Sequence, residues 1–190
     1  MKQKIIDDIK SGIAVKQAII DSQIDLIEKA TKLVISCIQN GNKLLFFGNG
    51  GSASDSHHLA AEFVGRYENE RRPLPAIALT TDTSILTAVG NDYGFDRVFE
   101  RQVEALGRKG DVAFAISTSG NSKNVIVAVK KAKELGITVI GFLGRDGGAL
   151  KSLVDVPLVI PTQKTSRIQE SHIMIGHIIC ERADEAFLAK

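Results

Sequence analysis

A histidine and a glutamate, His58 and Glu62, lie four residues apart in a stretch with helical periodicity. On an α-helix this spacing places both side chains on one face, with Cβ atoms about 6 Å apart. A neutral imidazole and a carboxylate at that separation suit zinc or a similar divalent ion, and they equally suit proton transfer. A surface His–Glu pair without any chemical role has the same spacing, so the spacing leaves three interpretations open.

Three more polar side chains, Gln169, His172 and His177, lie in the last predicted helix. Gln169 and His177 are eight residues apart, an offset of about 80° and a rise of about 12 Å on a straight helix. That is long for two ligands of one ion. Either an ion lies between extended side chains, or the two residues serve different copies of the site in an oligomer. Apolar neighbours around His177 also allow a core histidine with a shifted pKa.

Two segments rich in glycine and serine follow predicted strands. The first, called the glycine turn, is Gly48–Ser52; its glycines let backbone N–H groups approach a ligand, and Ser52 is expected to cap the next helix. The second, called the serine loop, is Ser117–Ser122 and has four hydroxyls in six residues. Hydroxyls, free amides and the positive end of a helix dipole favour phosphate. A tight strand–helix turn explains either segment alone, but the two together predict a phosphorylated ligand.

From residue 43 onward, short apolar segments alternate with helical ones. This order predicts an α/β fold with a five-stranded parallel sheet covered by helices on both faces. Ligands of such sheets bind at the carboxyl ends of the strands, where both glycine- and serine-rich segments lie. The predicted strands are Lys43–Gly48, Ala76–Thr80, Asp111–Ser117, Thr138–Leu143 and Asp155–Ile160. The predicted helices are Ser52–Arg66, Thr83–Val89, Phe95–Leu106, Lys123–Leu135 and Ser166–Ala189.

The N-terminal segment, residues 1–40, has apolar residues at helical spacing from Lys2 to Gln39. Ser11-Gly12 is a possible break, which would give a pair of helices outside the α/β core. Because such a pair often packs on a copy of itself, we expect an N-terminal helical oligomerisation element. The whole chain, residues 1–190, is expected to form one domain whose α/β core is residues 43–190.

Composition excludes several classes of protein. The 190-residue chain has a net charge of +2 and no cluster of basic residues with interleaved aromatics, which argues against nucleic-acid binding. Its two cysteines, Cys37 and Cys180, do not make a disulfide framework. The N-terminus lacks the apolar core of a signal peptide, and no apolar run reaches the roughly 18 residues of a membrane span. A cytoplasmic protein without membrane contact is expected.

Five segments occur in an order that resembles the sugar isomerase (SIS) domain family, and within it the phosphoheptose isomerases. They are GNGGSASDSHHLAAEFVGR, PAIALTTDTS, GNDYGFDRVFERQVEALGRKGDV, ISTSGNS and RIQESHIMIGHII. The resemblance covers nearly the whole chain and implies a SIS-type three-layer sandwich. It also implies an aldose–ketose isomerase that converts sedoheptulose 7-phosphate to D-glycero-D-manno-heptose 7-phosphate through an enediol, the first step of nucleotide-activated heptose biosynthesis. A homotetramer with sites at subunit interfaces is implied as well.

The resemblance also implies the roles of individual residues. One Zn²⁺ per site would be held by His58, Glu62, Gln169 and His177, and Glu62 and His177 would form the acid–base pair. Ser166 stands where many members have Asp or Thr, so it is left out of the site. The positions that match the family's substrate contacts are Asn49, Gly50, Gly51, Ser52, Glu62, Asn91, Asp92, Ser117, Thr118, Ser119, Ser122 and Gln169.

Three alternatives stay open at this stage. One is a non-catalytic SIS protein that binds a phosphosugar or a replication-initiator partner, although members of that branch typically replace the glutamate and the final histidine. Another is a phosphosugar sensor beside a DNA-binding domain, for which the chain has no room. The last is an isomerase of another phosphosugar, because a phosphate site says little about the length of the sugar.

Overall fold

The computed structural model describes residues 1–188, and in these the chain alternates between helices and strands as the sequence predicts. The elements are α1 (Lys2–Gln39), β1 (Leu44–Gly48), α2 (Gly51–Val64), β2 (Ala76–Ala78), α3 (Thr83–Tyr93), α4 (Glu100–Leu106), β3 (Val112–Ser117), α5 (Lys123–Glu134), β4 (Thr138–Gly144), β5 (Val156–Ile160) and α6 (Thr165–Ala186). Short 3₁₀ turns occur at Phe95–Arg97 and Ala149–Ser152.

The five strands form one parallel sheet in the order β2-β1-β3-β4-β5. This confirms the predicted α/β fold. The chain leaves β1 toward β2 on one side, whereas β3 lies on the other side, so the strand order reverses between β1 and β3. A crevice forms at such a reversal, outside the carboxyl ends of the strands. The glycine turn and the serine loop both open into it.

Two apolar layers cover the sheet because side chains alternate along each strand. Phe46 and Phe114 stack on one face, with ring centroids 4.6 Å apart, under α1, α2 and α6. Leu45 and Phe47 lie on the other face, against residues of α4 and α5. All residues of β1 and β3 are buried, which explains their continuous apolar sequences. The sheet thus fixes the strand ends that carry the two loops.

The predicted break at Ser11-Gly12 is wrong, because α1 is one continuous helix of 38 residues. Gly12 instead allows a close helix–helix contact: a Cβ atom there would lie 3.1 Å from Nη1 of Arg167 on α6. The same Nη1 donates a hydrogen bond to the carbonyl of Asp8, at 2.9 Å. The expected helical pair is therefore a single helix about 57 Å long.

Other predicted boundaries differ modestly. β2 ends at Ala78 instead of Thr80, α3 continues to Tyr93, and the helix predicted from Phe95 begins as a 3₁₀ turn. α6 ends at Ala186, and the predicted end at Ala189 lies outside the described residues. None of the helices within residues 1–188 combines the length and apolar character needed to cross a bilayer.

Candidate functional site

Helices α2 and α6 pack side by side on one face of the sheet and run in the same direction. Two glycines allow their close approach. A Cβ atom at Gly176 would lie 2.5 Å from Cδ2 of Leu59, and one at Gly51 would lie 2.0 Å from Nε2 of Gln169. The glycine contacts bring polar residues of the two helices together near the middle of α2.

The polar residues that meet there are His58, Glu62 and His177, called the histidine–glutamate cluster. Nε2 of His58 lies 2.9 Å from Nε2 of His177 and 3.4 Å from Oε1 of Glu62. One potential ligand atom from each residue lies within 4.8 Å of the other two. Two residues four apart on α2 thus meet a third that is 119 positions away from His58 in the sequence.

The electrostatics of this cluster favour a neutral His177. Burial lowers its pKa, the imidazole of His58 lowers it further, and Glu62 acts in the opposite direction. A neutral imidazole has one nitrogen able to accept a proton or bind a metal and one able to donate. The side chains of His58 and Glu62 remain 47% and 23% exposed, so the cluster faces an accessible surface.

Two neighbours of the cluster escaped the sequence reasoning. Tyr67, in the loop after α2, has its ring centroid 5.5 Å from that of His177. Asp55 lies one turn before His58, and burial raises the pKa of its carboxyl group to about 6, although His58 and His57 oppose the shift. Asp55 lies in the segment GNGGSASDSHHLAAEFVGR, which resembles the SIS family, so the sequence could have pointed to it. No local pattern pointed to Tyr67, because its loop has neither helical nor strand periodicity.

The glycine turn is built on close contacts. Gly50 has φ +56° and is the N-cap of α2. The expected capping by Ser52 is wrong, because α2 begins at Gly51 and Ser52 is buried inside its first turn. A Cβ atom at Gly48 would lie 2.7 Å from the carbonyl oxygen of Ile116. Gly48 thus permits tight packing of the turn against β3.

Asn49 does not direct its side chain freely into the crevice. Its Nδ2 donates to Oδ1 of Asn124 at 2.8 Å, and Nδ2 of Asn124 donates back to Oδ1 of Asn49 at 2.9 Å. Asn124 is buried in the first turn of α5. This reciprocal pair joins the glycine turn to the helix that follows the serine loop. Sequence reasoning missed Asn124, since an asparagine inside a helix resembles any surface residue.

In the serine loop, three hydroxyl groups converge at the start of α5. Oγ of Ser117 lies 3.1 Å from Oγ of Ser122 and 3.5 Å from Oγ of Ser119. The backbone N–H of Asn121 donates to Oγ of Ser119 at 3.1 Å. Gly120 has φ +67°, a conformation that favours glycine and lets the loop turn back on itself. Hydroxyls at a helix N-terminus form the expected surroundings of an anion.

Gln169 lies on α6, as His177 does, and Asn91 and Asp92 lie on α3. Gln169 lies against Gly51 at the start of α2, eight residues from His177 along α6. Asn91 and Asp92 are exposed near the end of α3, where Nδ2 of Asn91 donates to Oδ1 of Asp92 at 2.8 Å. The structure therefore brings His58, Glu62 and His177 within 4.8 Å of one another, and Gln169, on the same helix as His177, has its amide beside Gly51.

Comparisons with known proteins agree with this architecture. The SIS domain family model matches residues 9–144. A phosphoheptose isomerase of Clostridium acetobutylicum is 55% identical over 183 residues, which are 95% of this chain and 93% of that protein.

Two solved phosphoheptose isomerases superpose closely on the chain. The structure from Neisseria gonorrhoeae has a TM-score of 0.91 at 46% identity and covers 97% of this chain and 98% of its own. The structure from Francisella tularensis has a TM-score of 0.93 at 40% identity and covers 96% of this chain and 97% of its own. The resemblance stated from the sequence is confirmed: the chain belongs to the SIS domain family and, within it, to the phosphoheptose isomerases.

Proposed function

We propose that the chain converts sedoheptulose 7-phosphate to D-glycero-D-manno-heptose 7-phosphate, at the histidine–glutamate cluster. One observation carries this assignment: α2 and α6 bring His58, Glu62 and His177 within 4.8 Å of one another in a chain of this family. The serine loop at the carboxyl edge of the same sheet would hold the phosphate. A partner-binding SIS protein would not need this cluster, whose glutamate and final histidine favour catalysis.

Isomerisation moves a proton from C1 of the ketose to C2 and redistributes the protons on the two oxygens. In our proposal the Glu62 carboxylate takes the proton from C1 while His177 donates a proton to O2, which gives an enediol, and the Glu62 carboxyl group then returns its proton to C2. His177 moves the oxygen proton from O1 to O2, a role that suits an imidazole kept neutral by burial. The same imidazole would assist the opening of the sugar ring.

The donor set of the cluster also fits a divalent metal ion. Two imidazole Nε2 atoms and one carboxylate oxygen are ligands that zinc prefers, and three protein ligands are typical of a catalytic zinc site. We therefore propose that His58, Glu62 and His177 hold Zn²⁺. The ion would polarise the substrate's carbonyl oxygen. One oxygen of Glu62 would serve the metal while the other serves as the base.

Different polar groups along the crevice are proposed to bind different parts of the substrate. Ser117, Thr118, Ser119 and Ser122, together with the N-terminus of α5, are proposed to bind the phosphate. The backbone of Gly50 and Gly51 is proposed to contact the sugar, and the amide of Gln169, which lies against Gly51, would reach the same part of it. Asn49 and Ser52 would then act mainly by shaping the turn.

We also propose that the protein is a homotetramer. α1 exposes a row of isoleucines to solvent, with Ile9 and Ile13 at 58% and 62% exposure. Exposed apolar surface of this extent is typical of an interface. Asn91 and Asp92 would complete the site of a neighbouring copy. Replacing Ile9 and Ile13 by glutamate should lower the mass measured by sedimentation, whereas Lys16→Glu on the same helix should not. A monomeric wild-type protein contradicts the proposal.

Incubating the purified protein with sedoheptulose 7-phosphate tests substrate, reaction and metal dependence together. NMR of the sugar carbons should show formation of the aldose. A chelator should slow the reaction, and added zinc should restore it. Another phosphosugar ketose, such as fructose 6-phosphate, serves as the specificity control. A wild-type protein that is inert toward the heptulose overturns the proposed function.

A further inference from the structure

Residues 65–72, called the strap, belong to the loop that connects α2 to β2, and they fold back against both helices of the cluster. The Arg71 side chain of the strap is 1% exposed. The guanidinium donates to four carbonyl oxygens, including those of Glu62 at 2.8 Å and Phe63 at 3.0 Å. The last carbonyls of a helix have no partner within the helix. Arg71 therefore fixes the end of α2 by bonding to the peptide group of the proposed base itself.

The partner of Arg71 is Asp184, a fully buried residue seven positions after His177 on α6. Its Oδ1 accepts from Nε of Arg71 at 2.6 Å, and its Oδ2 accepts from the backbone N–H groups of Glu68 and Asn69 at 2.8 and 2.9 Å. Burial alone would raise the pKa of Asp184, but these hydrogen bonds and the Arg71 charge outweigh it and lower the pKa.

The strap also carries Tyr67, whose ring packs beside the His177 imidazole with centroids 5.5 Å apart. A buried ion pair is weak evidence for stability, because apolar side chains of similar volume often replace it without loss. The Arg71–Asp184 pair does something apolar residues would not do. Its hydrogen bonds connect the carbonyl group of Glu62, the strap residues that follow Tyr67, and α6, which carries His177.

We propose that Arg71 and Asp184 are positioning residues for the acid–base pair, and that they act by holding Glu62 against His177 and Tyr67 over the His177 ring. This inference rests on the proposed isomerase function. Misplacement of reacting groups by about 1 Å can cost about 10²-fold in rate. Loss of the pair should therefore lower kcat by at least about tenfold, whereas the KM for the phosphosugar should stay near its wild-type value, since the serine loop is untouched.

The chain offers a matched control in Asp111, a second buried carboxylate, which directly precedes β3. Asp111 is 1% exposed and accepts from the Lys43 backbone N–H, the Lys43 Nζ and the Arg108 backbone N–H, at 3.1, 2.6 and 2.8 Å. Asp184 and Asp111 thus each accept from two backbone N–H groups and one cation. Asp184→Asn and Asp111→Asn should lower the melting temperature by similar amounts, but only Asp184→Asn should lower kcat under conditions where both variants are folded.

Hydrogen exchange gives a readout independent of activity. Asp184→Asn should remove protection from the Glu68 and Asn69 amides, and Asp111→Asn should leave these amides protected. Wild-type activity is measured in the same assay. Equal kcat in an active wild type and Asp184→Asn overturns the inference alone, whereas an inert wild type overturns the proposed function and the inference with it.

If Asp184→Asn does not fold, variants of Tyr67 decide the matter. Tyr67→Ala removes the ring from His177 and should lower kcat several-fold with little change in KM. Tyr67→Phe keeps the ring and should restore kcat to within about twofold, since packing and not the hydroxyl group is what the proposal requires. A fully active Tyr67→Ala variant overturns the inference.

Discussion

The serine loop and the histidine–glutamate cluster show two ways of building a functional site. The serine loop consists of consecutive residues, and its three serine hydroxyls meet because a single turn with positive φ at Gly120 folds them together. The cluster joins residues 119 positions apart and depends on the close packing of α2 on α6. Changes in the loop should therefore affect binding, whereas changes in the cluster or its packing should affect turnover.

The largest expected effect comes from Glu62→Gln, which keeps the shape of the side chain and removes the base. Proton transfer by a positioned side chain contributes about 10² to 10⁴-fold to rate, so kcat should fall by that factor. KM should change little, because the phosphate contacts remain. The measurement is steady-state kinetics with sedoheptulose 7-phosphate, and Glu134→Gln on the exposed part of α5 is the control. A fully active Glu62→Gln enzyme contradicts the assignment of the base.

The next largest effect is expected from Gly176→Ala, which disrupts the packing of α2 on α6. A Cβ atom at Gly176 would lie 2.5 Å from Cδ2 of Leu59, so Gly176→Ala must displace the buried Leu59 side chain or move α6 away from α2. Overpacking of this kind typically costs about 1–3 kcal/mol of unfolding free energy, and kcat should fall with it. Gly90→Ala in α3 is the matched control, since its Cβ meets its nearest neighbour at 3.9 Å. Denaturant unfolding and kcat that both match the wild type in Gly176→Ala would argue against a packing-built cluster.

A smaller effect is expected in the serine loop. Ser119→Ala removes a hydroxyl that accepts from the Asn121 amide and faces Ser117. A hydrogen bond to a charged group contributes about 1.5–3 kcal/mol, so KM should rise about tenfold or more while kcat stays within about twofold. Ser152→Ala, in an exposed turn, is the control. If kcat falls instead and KM is unchanged, the division between binding and turnover is wrong.

The serine loop is easier to predict from the sequence than the histidine–glutamate cluster, because only the cluster depends on residues far apart in the chain. The serine loop could be recognised from composition alone, because its residues are neighbours in the chain. Strands β1, β3 and β4 were recognisable because buried parallel strands are continuously apolar. His58 and Glu62 could be paired by helical spacing, but only the packed helices show that His177 joins them.

Other features had no local signal at all. The Asn49–Asn124 pair and the Arg71–Asp184 pair join residues 75 and 113 positions apart. Nothing in the neighbouring sequence distinguishes such a residue from one at the surface. Gly12 gave a misleading signal, because a glycine inside a helix predicts a break until its contact with α6 is known.

The smallest predicted effect concerns His172, a buried residue of α6 that contacts the sheet. His172 lies between Gln169 and His177 on α6, and its Nε2–H donates to the carbonyl of Leu143 at the carboxyl end of β4, next to β3. The imidazole is fully buried, and its Nδ1 has no hydrogen-bond partner within residues 1–188. This burial lowers the pKa of His172 to about 4.

The lowered pKa makes stability depend on pH in a defined direction. Below about pH 6.5 His172 is protonated in the unfolded chain but stays neutral in the folded protein. The free energy of unfolding therefore falls as the pH falls from 6.5 toward 4. Between pH 7 and pH 5.5 the loss should be about 1 kcal/mol. His172→Gln, which can still donate to Leu143, should lack this component, whereas His57→Gln on the exposed part of α2 should keep it. Urea unfolding at pH 7 and at pH 5.5 measures the change in unfolding free energy between the two. An equal change in wild type and His172→Gln would show that His172 is not the group responsible.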